Sequence, residues 1–408
     1  MKHDSMVSLG KYANNAAQAG GVDPVRARRY YLQNLAADLL PDERVSECLR
    51  AVAPSADQVD LVHNPARSSA RYANLIVCSR VWTCPVCAAR ITEERRRELT
   101  LAAAAADLSP LLVTFTLRHK KSDRLSRVLD VLLQAVRAFK SGSRWQKLKD
   151  RYFVAGSIRS LEVTYGENGW HPHCHMMLLI EGKISARAAA QMEKEFKALW
   201  LSVVAHAGFD ASWDHGLDVR SADRDVQDYI AKFGREPLNS GWTPEHELVK
   251  GHVKRSGGLA GRTPFELLAS YGDGDKRAGD LFVEYARVFK GRNQLVWSRG
   301  LRDRLGLGGE VDDPAPNSEL VGDIEAVTEK TLLSLSREQW RVVVRSDARS
   351  ALLDVAALGD VDRVWAWLNE LPGFSSIISI ELSRLMGRPH EVARYLHSLG
   401  VGDDPDSS

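Results

Sequence analysis

The chain of 408 residues lacks any apolar run near the roughly 18 residues that a membrane-spanning helix needs. Its opening residues, MKHDSMVSLG, lack the apolar core of a secretion signal. Both absences set the expectation of a cytoplasmic protein with no membrane partner. Net charge is scarce too: 55 Lys and Arg against 53 Asp and Glu leave +2. A nucleic-acid partner is neither demanded nor excluded by that balance, so a case for one has to rest on local basic clusters. Cysteines number five, and in a reducing compartment they point to metal ligation or a lone thiol rather than disulfides. No internal repeat is present. What is there is an ordinary globular composition, 44% hydrophobic and 26% charged, in a chain long enough for two or three domains.

Residues 1–22 are small and polar and read as a flexible N-terminus. Asp23 before Pro24 is a helix start, with Asp as cap and Pro in the first helical position. Residues 23–107 then form an N-terminal module carrying that helix and the cysteines, with a second helix from about Ala88. From Leu111 the pattern turns to a strand, LLVTFTL, followed by a helix over 122–140 and strands over 153–165 and 171–180. A helix over 184–206, a short strand over 216–220 and a helix over 223–233 complete a β-α-β-β-α-β-α order. That order predicts an α+β fold of the split βαβ, ferredoxin-like type, with helices on one face of an antiparallel sheet, the other face open, and the third strand central. Residues 306–318, with GGEVDDPAPNS, read as a linker. Residues 319–408 read as a C-terminal domain of amphipathic helices.

The segment WHPHCHMMLLI carries the most chemistry. His171, His173 and His175 are two apart, so on a strand they share a face and can converge on one divalent ion. With a hairpin turn at Glu167–Asn168, Glu162 falls opposite His173 on that face. Imidazoles beside a carboxylate make a mixed nitrogen and oxygen site suited to Mn²⁺ or Mg²⁺. Cys174 points to the opposite face and reads as a core thiol. A second polar set lies in DRDVQDYIAKF, where Asp225, Tyr229 and Lys232 share one helical stripe. An ammonium one turn from a phenol can stabilise phenolate and hold phosphate, which makes Tyr229 a candidate nucleophile.

Cys84 and Cys87 have the CxxC spacing of a metal knuckle. With Cys78 and Cys48 they supply four thiolates for a structural Zn²⁺, His63 being the rival fourth ligand. Arg95, Arg96 and Arg97, and the loop carrying Lys250, Lys254, Arg255 and Arg262, are candidate phosphate contacts. Each set reads equally as a solvated face. Trp170 can stack on a base or fill the core.

HPHCHMMLL resembles the His-hydrophobic-His motif of HUH endonucleases, YIAK their Tyr-x-x-Lys motif, and VTFTL their first motif. GRNQLVWSRGL at 291–301 is similar to the end of plasmid Rep catalytic regions, and CSRVWTCPVC to a stretch of actinobacterial Rep proteins. The resemblance spans about residues 75–305 and implies an endonuclease domain over 108–305. The tyrosine follows the histidines, as in replication initiators, and it is single, as in the plasmid type. The implied activity is nicking of single-stranded or hairpin plasmid origin DNA through a 5′-phosphotyrosine. The metal would lie on His173 and His175, with Glu162 or His171 as a third ligand, and Lys232 would hold the phosphate. Asp225 stands where related initiators carry a water-activating Glu. A host helicase and single-strand binding protein are the implied partners in a bacterial cytoplasm. An HUH transposase or mobilisation nuclease would use the same residues, whereas a zinc-stabilised DNA-binding regulator would need neither the histidines nor the tyrosine.

Overall fold

The computed structural model describes residues 23–105, 107–221, 261–308 and 329–377. In chain order its elements begin with α1 (Pro24–Leu39), β1 (Gln58–Asn64), β2 (Ser69–Ala73), α2 (Pro85–Ala103) and β3 (Leu108–Phe115). Then come α3 (Leu125–Phe139), α4 (Gly142–Arg151), β4 (Val154–Gly166), β5 (Gly169–Glu181), α5 (Ala186–His206) and β6 (Leu217–Ser221). The later elements are α6 (Pro264–Gly272), α7 (Lys276–Phe289), β7 (Leu295–Trp297), α8 (Leu301–Arg304), β8 (Lys330–Ser336), α9 (Arg337–Arg345), α10 (Arg349–Ala356) and α11 (Val361–Asn369). They fall into two compact units, Met1–Ser79 with Pro314–Ser408, and Arg80–Asp313.

In the first unit α1 starts as its sequence dictates. The Asp23 carboxylate accepts from the backbone N–H of Val25 at 2.9 Å and of Arg26 at 3.1 Å, and Pro24 needs no partner there. β1 lies between β2 and β8, antiparallel to both. The strand β8 corrects the reading of 319–408 as helices alone. Leu333 and Leu335 alternate with serines at the strand period, and both are buried with Val59 and Leu61 of β1. The segments read as separate N- and C-terminal regions thus share one sheet. Arg349 of α10 is buried and donates to Gln33 Oε1 at 2.8 Å and Leu49 O at 3.0 Å, tying α1 to the segment after it.

In the second unit the strand order is β6-β3-β5-β4-β7, antiparallel throughout. β5 is therefore central. One face is sealed by α3, α4 and α5 over Val113, Phe115, Cys174, Met176 and Leu178. Phe115 meets Phe139 and Trp200 edge-on, with ring centroids 5.0 and 4.9 Å apart. Burying each such side chain contributes about 1.5–3 kcal/mol. The opposite face is not wholly open, contrary to the simple split βαβ expectation. Past His175 the same parity of β5 carries Met177 and Leu179, which pack with Leu112, Ile158, Leu99 and Ala102 of α2, Trp297 and Leu301. Apolar residues there demand cover, and among the described residues that face is covered beyond His175.

Candidate functional site

The β4–β5 hairpin closes at Gly166 and Gly169, and its register pairs Thr164 with His171, Glu162 with His173, and Ser160 with His175. Across the other edge of β5, Thr114 of β3 pairs with His175. The three rings follow one another along the strand, centroids 4.4 Å apart from His171 to His173 and 5.9 Å from His173 to His175. His175 is held on both sides: its Nε2 lies 3.2 Å from Glu162 Oε2, and its Nδ1 lies 3.0 Å from Thr114 Oγ1. A carboxylate accepts, so in the neutral ring Nε2 donates to Glu162 and Nδ1 accepts from the threonine hydroxyl. The Glu162 side chain is 45% exposed and can accept further ligands.

His173, the middle ring of the three, has its Nδ1 buried without a hydrogen-bond partner. Burial, then the neighbouring His171 and His175 rings, push its pKa down to about 4. Burial and then His119 do the same to His171, also to about 4. Both rings are neutral near pH 7 and keep a lone pair for a cation. An orphaned imidazole nitrogen, a neutral His171 beside it and an accessible carboxylate fit a divalent ion with open positions for water or phosphate. Among the described residues no three donors of this row lie as close together as those of the cysteine group, so an ion here would have to draw the rings inward.

Cys48, Cys78, Cys84 and Cys87 are buried, and their sulfurs all lie within 4.8 Å of one another. Tetrahedral zinc with bonds of about 2.3 Å sets sulfurs about 3.8 Å apart, so the group can hold a structural Zn²⁺. Cys84 caps α2, with Pro85 in its first turn, and its sulfur accepts from Cys87 N at 3.5 Å. Cys78 N likewise lies 3.4 Å from Cys48 Sγ. These N–H groups and the helix N-terminus favour thiolate. His63, the rival ligand, instead meets the Ala357 carbonyl at 3.2 Å. Cys174 is fully buried on the helix side, where burial pushes its thiol up to about 12.

Trp170 has the parity of Cys174, not of the histidines. It is buried, donates to Glu284 Oε2 at 3.0 Å and stacks with Tyr285, so it is a core aromatic and not a base platform. The arginines of α2 are committed as well. Arg96 and Arg97 bond Glu93, at 2.7 and 3.4 Å, and Arg95 donates to Gln294 at 2.7 Å. Asp225, Tyr229, Lys232, Lys250, Lys254 and Arg255 lie outside the described residues. One residue escaped the sequence reading altogether: His119, in the loop after β3, whose ring lies 4.7 Å from that of His171. Its place next to TFTL was the available signal, but strand parity ends at Phe115.

Residues 70–301 match the Rep_1 family of replication proteins. The chain belongs to that family. "Protein rep" of Streptomyces lividans is 29% identical over 352 residues, 70% of this chain and 76% of that protein. A protein named neomycin resistance protein from Streptomyces cyanogenus is 33% identical over 138 residues, 27% of this chain and 31% of that protein. No solved structure matches. The Rep_1 match holds the whole histidine row, Glu162, Thr114 and three of the four cysteines, so both candidate metal sites fall largely within the replication-protein region. Among the described residues of this replication protein, no helix is long and apolar enough to cross a membrane.

Proposed function

We propose that this replication protein initiates rolling-circle replication of a plasmid, nicking one strand of origin DNA as an HUH endonuclease with Tyr229 as nucleophile. The observation that carries this reading is the row of imidazoles on one face of the central strand, with the Glu162 carboxylate paired across the hairpin. Two further facts support it: membership of a replication-protein family, and a strand order, β6-β3-β5-β4, that fits the ferredoxin-like scaffold of that class.

His173 and His175, with Glu162 or His171 beside them, would hold Mn²⁺ or Mg²⁺, which would supply Lewis acidity at the scissile phosphate. With an ion on Nε2, in place of the proton now shared with Glu162, the His175 ring would carry its proton on Nδ1 and donate it to Thr114 Oγ1. The Tyr229 phenolate attacks phosphorus. The new O–P bond forms as the bond to the 3′-oxygen breaks, leaving a 5′-phosphotyrosine and a 3′-oxyanion that takes a proton from water and, as a hydroxyl, primes synthesis. Lys232, three residues on, stabilises the phenolate and holds the phosphate. Asp225 is placed in sequence to take a proton from the water that ends the cycle.

The test is direct. The full chain is incubated with Mn²⁺ and a labelled single-stranded DNA hairpin of the plasmid origin, and SDS-resistant protein–DNA adduct is counted. Wild type forms adduct, Tyr229→Phe forms none, and His173→Ala forms little. Undiminished adduct in Tyr229→Phe overturns the assignment.

A further inference from the structure

The row of imidazoles continues past β5. His119 Nδ1 lies 3.0 Å from the Asn168 carbonyl oxygen, and His119 Nε2 lies 2.5 Å from His171 Nδ1. A carbonyl can only accept, so the His119 proton sits on Nδ1. Nε2 of that neutral ring is then a lone pair, and the hydrogen in the second contact has to belong to His171. His171 is thereby left with its proton on Nδ1 and its lone pair on Nε2.

We propose that His119 is a positioning residue: it sets the tautomer of His171 and so makes a third imidazole of the row a nitrogen donor. The inference rests on the metal-site reading given above and extends it to a residue outside the His-x-His pair. An imidazole that ligates through one nitrogen is oriented by the hydrogen bond from its other nitrogen, and here that acceptor is a second histidine anchored to backbone.

The loop carrying His119 is built to hold it. Lys120 N donates to Asp123 Oδ2 at 2.7 Å, and Asp123 N to Lys120 O at 2.9 Å. The hairpin turn that offers Asn168 also holds Gly169 at φ +84°, where a Cβ would come within 3.0 Å of Lys121 Cα. Loop and turn are thus in direct backbone contact, and the Asn168 carbonyl is presented to His119 by that packing. Glu162, the other candidate third ligand, lies on the His175 side of the row and leaves the His171 end to imidazole nitrogen. A set weighted toward imidazole favours Mn²⁺ over Mg²⁺.

Two measurements test this on the full-length, ¹⁵N-histidine-labelled protein. Long-range ¹H–¹⁵N correlation without metal reads the tautomer of His171, and Mn²⁺ titration followed by electron paramagnetic resonance reads affinity. Wild type shows His171 protonated at Nδ1. His119→Ala loses that preference and binds Mn²⁺ about tenfold more weakly. His119→Gln, whose amide can donate to Asn168 and accept from His171, retains the preference and most of the affinity, which separates the hydrogen bond from mere folding. His171 protonated at Nε2 in wild type, or Mn²⁺ binding in His119→Ala as tight as in wild type, overturns the role of His119. Mn²⁺ binding undiminished in His173→Ala overturns the metal-site reading itself, a result distinct from either.

Discussion

The cysteine group and the histidine row both assemble metal-ligating side chains, and the backbone beneath each gives it a different character. Cys84 and Cys87 sit on the first turn of a helix, where three residues of chain bring two sulfurs together, and Cys48 and Cys78 complete a buried set within 4.8 Å. The histidines sit on a strand, where alternate residues stand about 6.6–6.8 Å apart and stay apart unless the rings lean inward. The first arrangement is closed, with every donor facing another donor. The second keeps a half-exposed carboxylate and a buried ring nitrogen without a partner. Closed four-thiolate sites hold structure, and open mixed sites leave positions for water and substrate. The contrast teaches that secondary structure selects between scaffold and chemistry before any ion arrives.

The sharpest way to break that comparison is to remove one site at a time. Stripping zinc with a chelator, or Cys84→Ser, is expected to produce the largest loss of stability. Structural zinc contributes about 10–16 kcal/mol in small zinc peptides, and even about 3 kcal/mol lowers Tm by about 10 °C in a domain of this size. Thermal melts with zinc analysis check it, and an unchanged Tm in a zinc-free Cys84→Ser protein would contradict a structural role. His173→Ala should do the reverse. Adduct formation falls at least about a hundredfold while Tm moves by no more than a few degrees. If His173→Ala collapses the fold instead, the two sites are alike and the distinction fails.

A third effect, smaller in size, sharpens the electrostatic side. His171 and His173 stand at about 4 in the folded protein, against about 6.5 in an unfolded chain. Between those values the unfolded state binds protons that the native state does not. Stability of the metal-free protein is therefore full above about pH 6.5 and is lost as pH falls toward about 4. Urea midpoints at several pH values measure it. His173→Asn should flatten the dependence by one histidine, and an identical slope would show that this ring does not carry it.

Much of the histidine face was legible because period 2 is unforgiving. Once WHPHCH is a strand, His171, His173 and His175 share a side, Cys174 and Trp170 take the other, and a turn at Glu167–Asn168 brings Glu162 opposite His173. The same parity carries Met177 and Leu179 onto the histidine face, so the partial cover over it was readable in principle. The cysteine spacing was equally plain. What local pattern could not supply was pairing at long range. β8 is a short run, TLLSLS, whose partner β1 lies far earlier in the chain, 278 residues for the Gln58–Ser336 pair. α4 was missed because it buries just Trp145 and Leu148, too few apolar positions to declare a period. His119 lies beyond the last paired residue of its strand, where parity no longer says which way a side chain turns.

The smallest predicted effect concerns Gly169, where the turn before the histidine strand packs against the loop of His119. Its φ of +84° costs an alanine about 1–2 kcal/mol anywhere, which corresponds to a Tm fall of about 3–6 °C. Gly274, at φ +102° with nothing within 4 Å of the place a Cβ would take, isolates that backbone cost alone. At Gly169 the added Cβ also meets Lys121 Cα at 3.0 Å and Lys121 O at 3.3 Å, so the loop has to yield by a few tenths of an ångström. Gly169→Ala should therefore weaken Mn²⁺ binding as well as lower Tm, whereas Gly274→Ala should lower Tm and leave Mn²⁺ binding as it was. Equal Mn²⁺ affinity in the two variants would mean that the contact between turn and loop carries no information to the imidazoles, and that the open site tolerates displacement that the closed cysteine site would not.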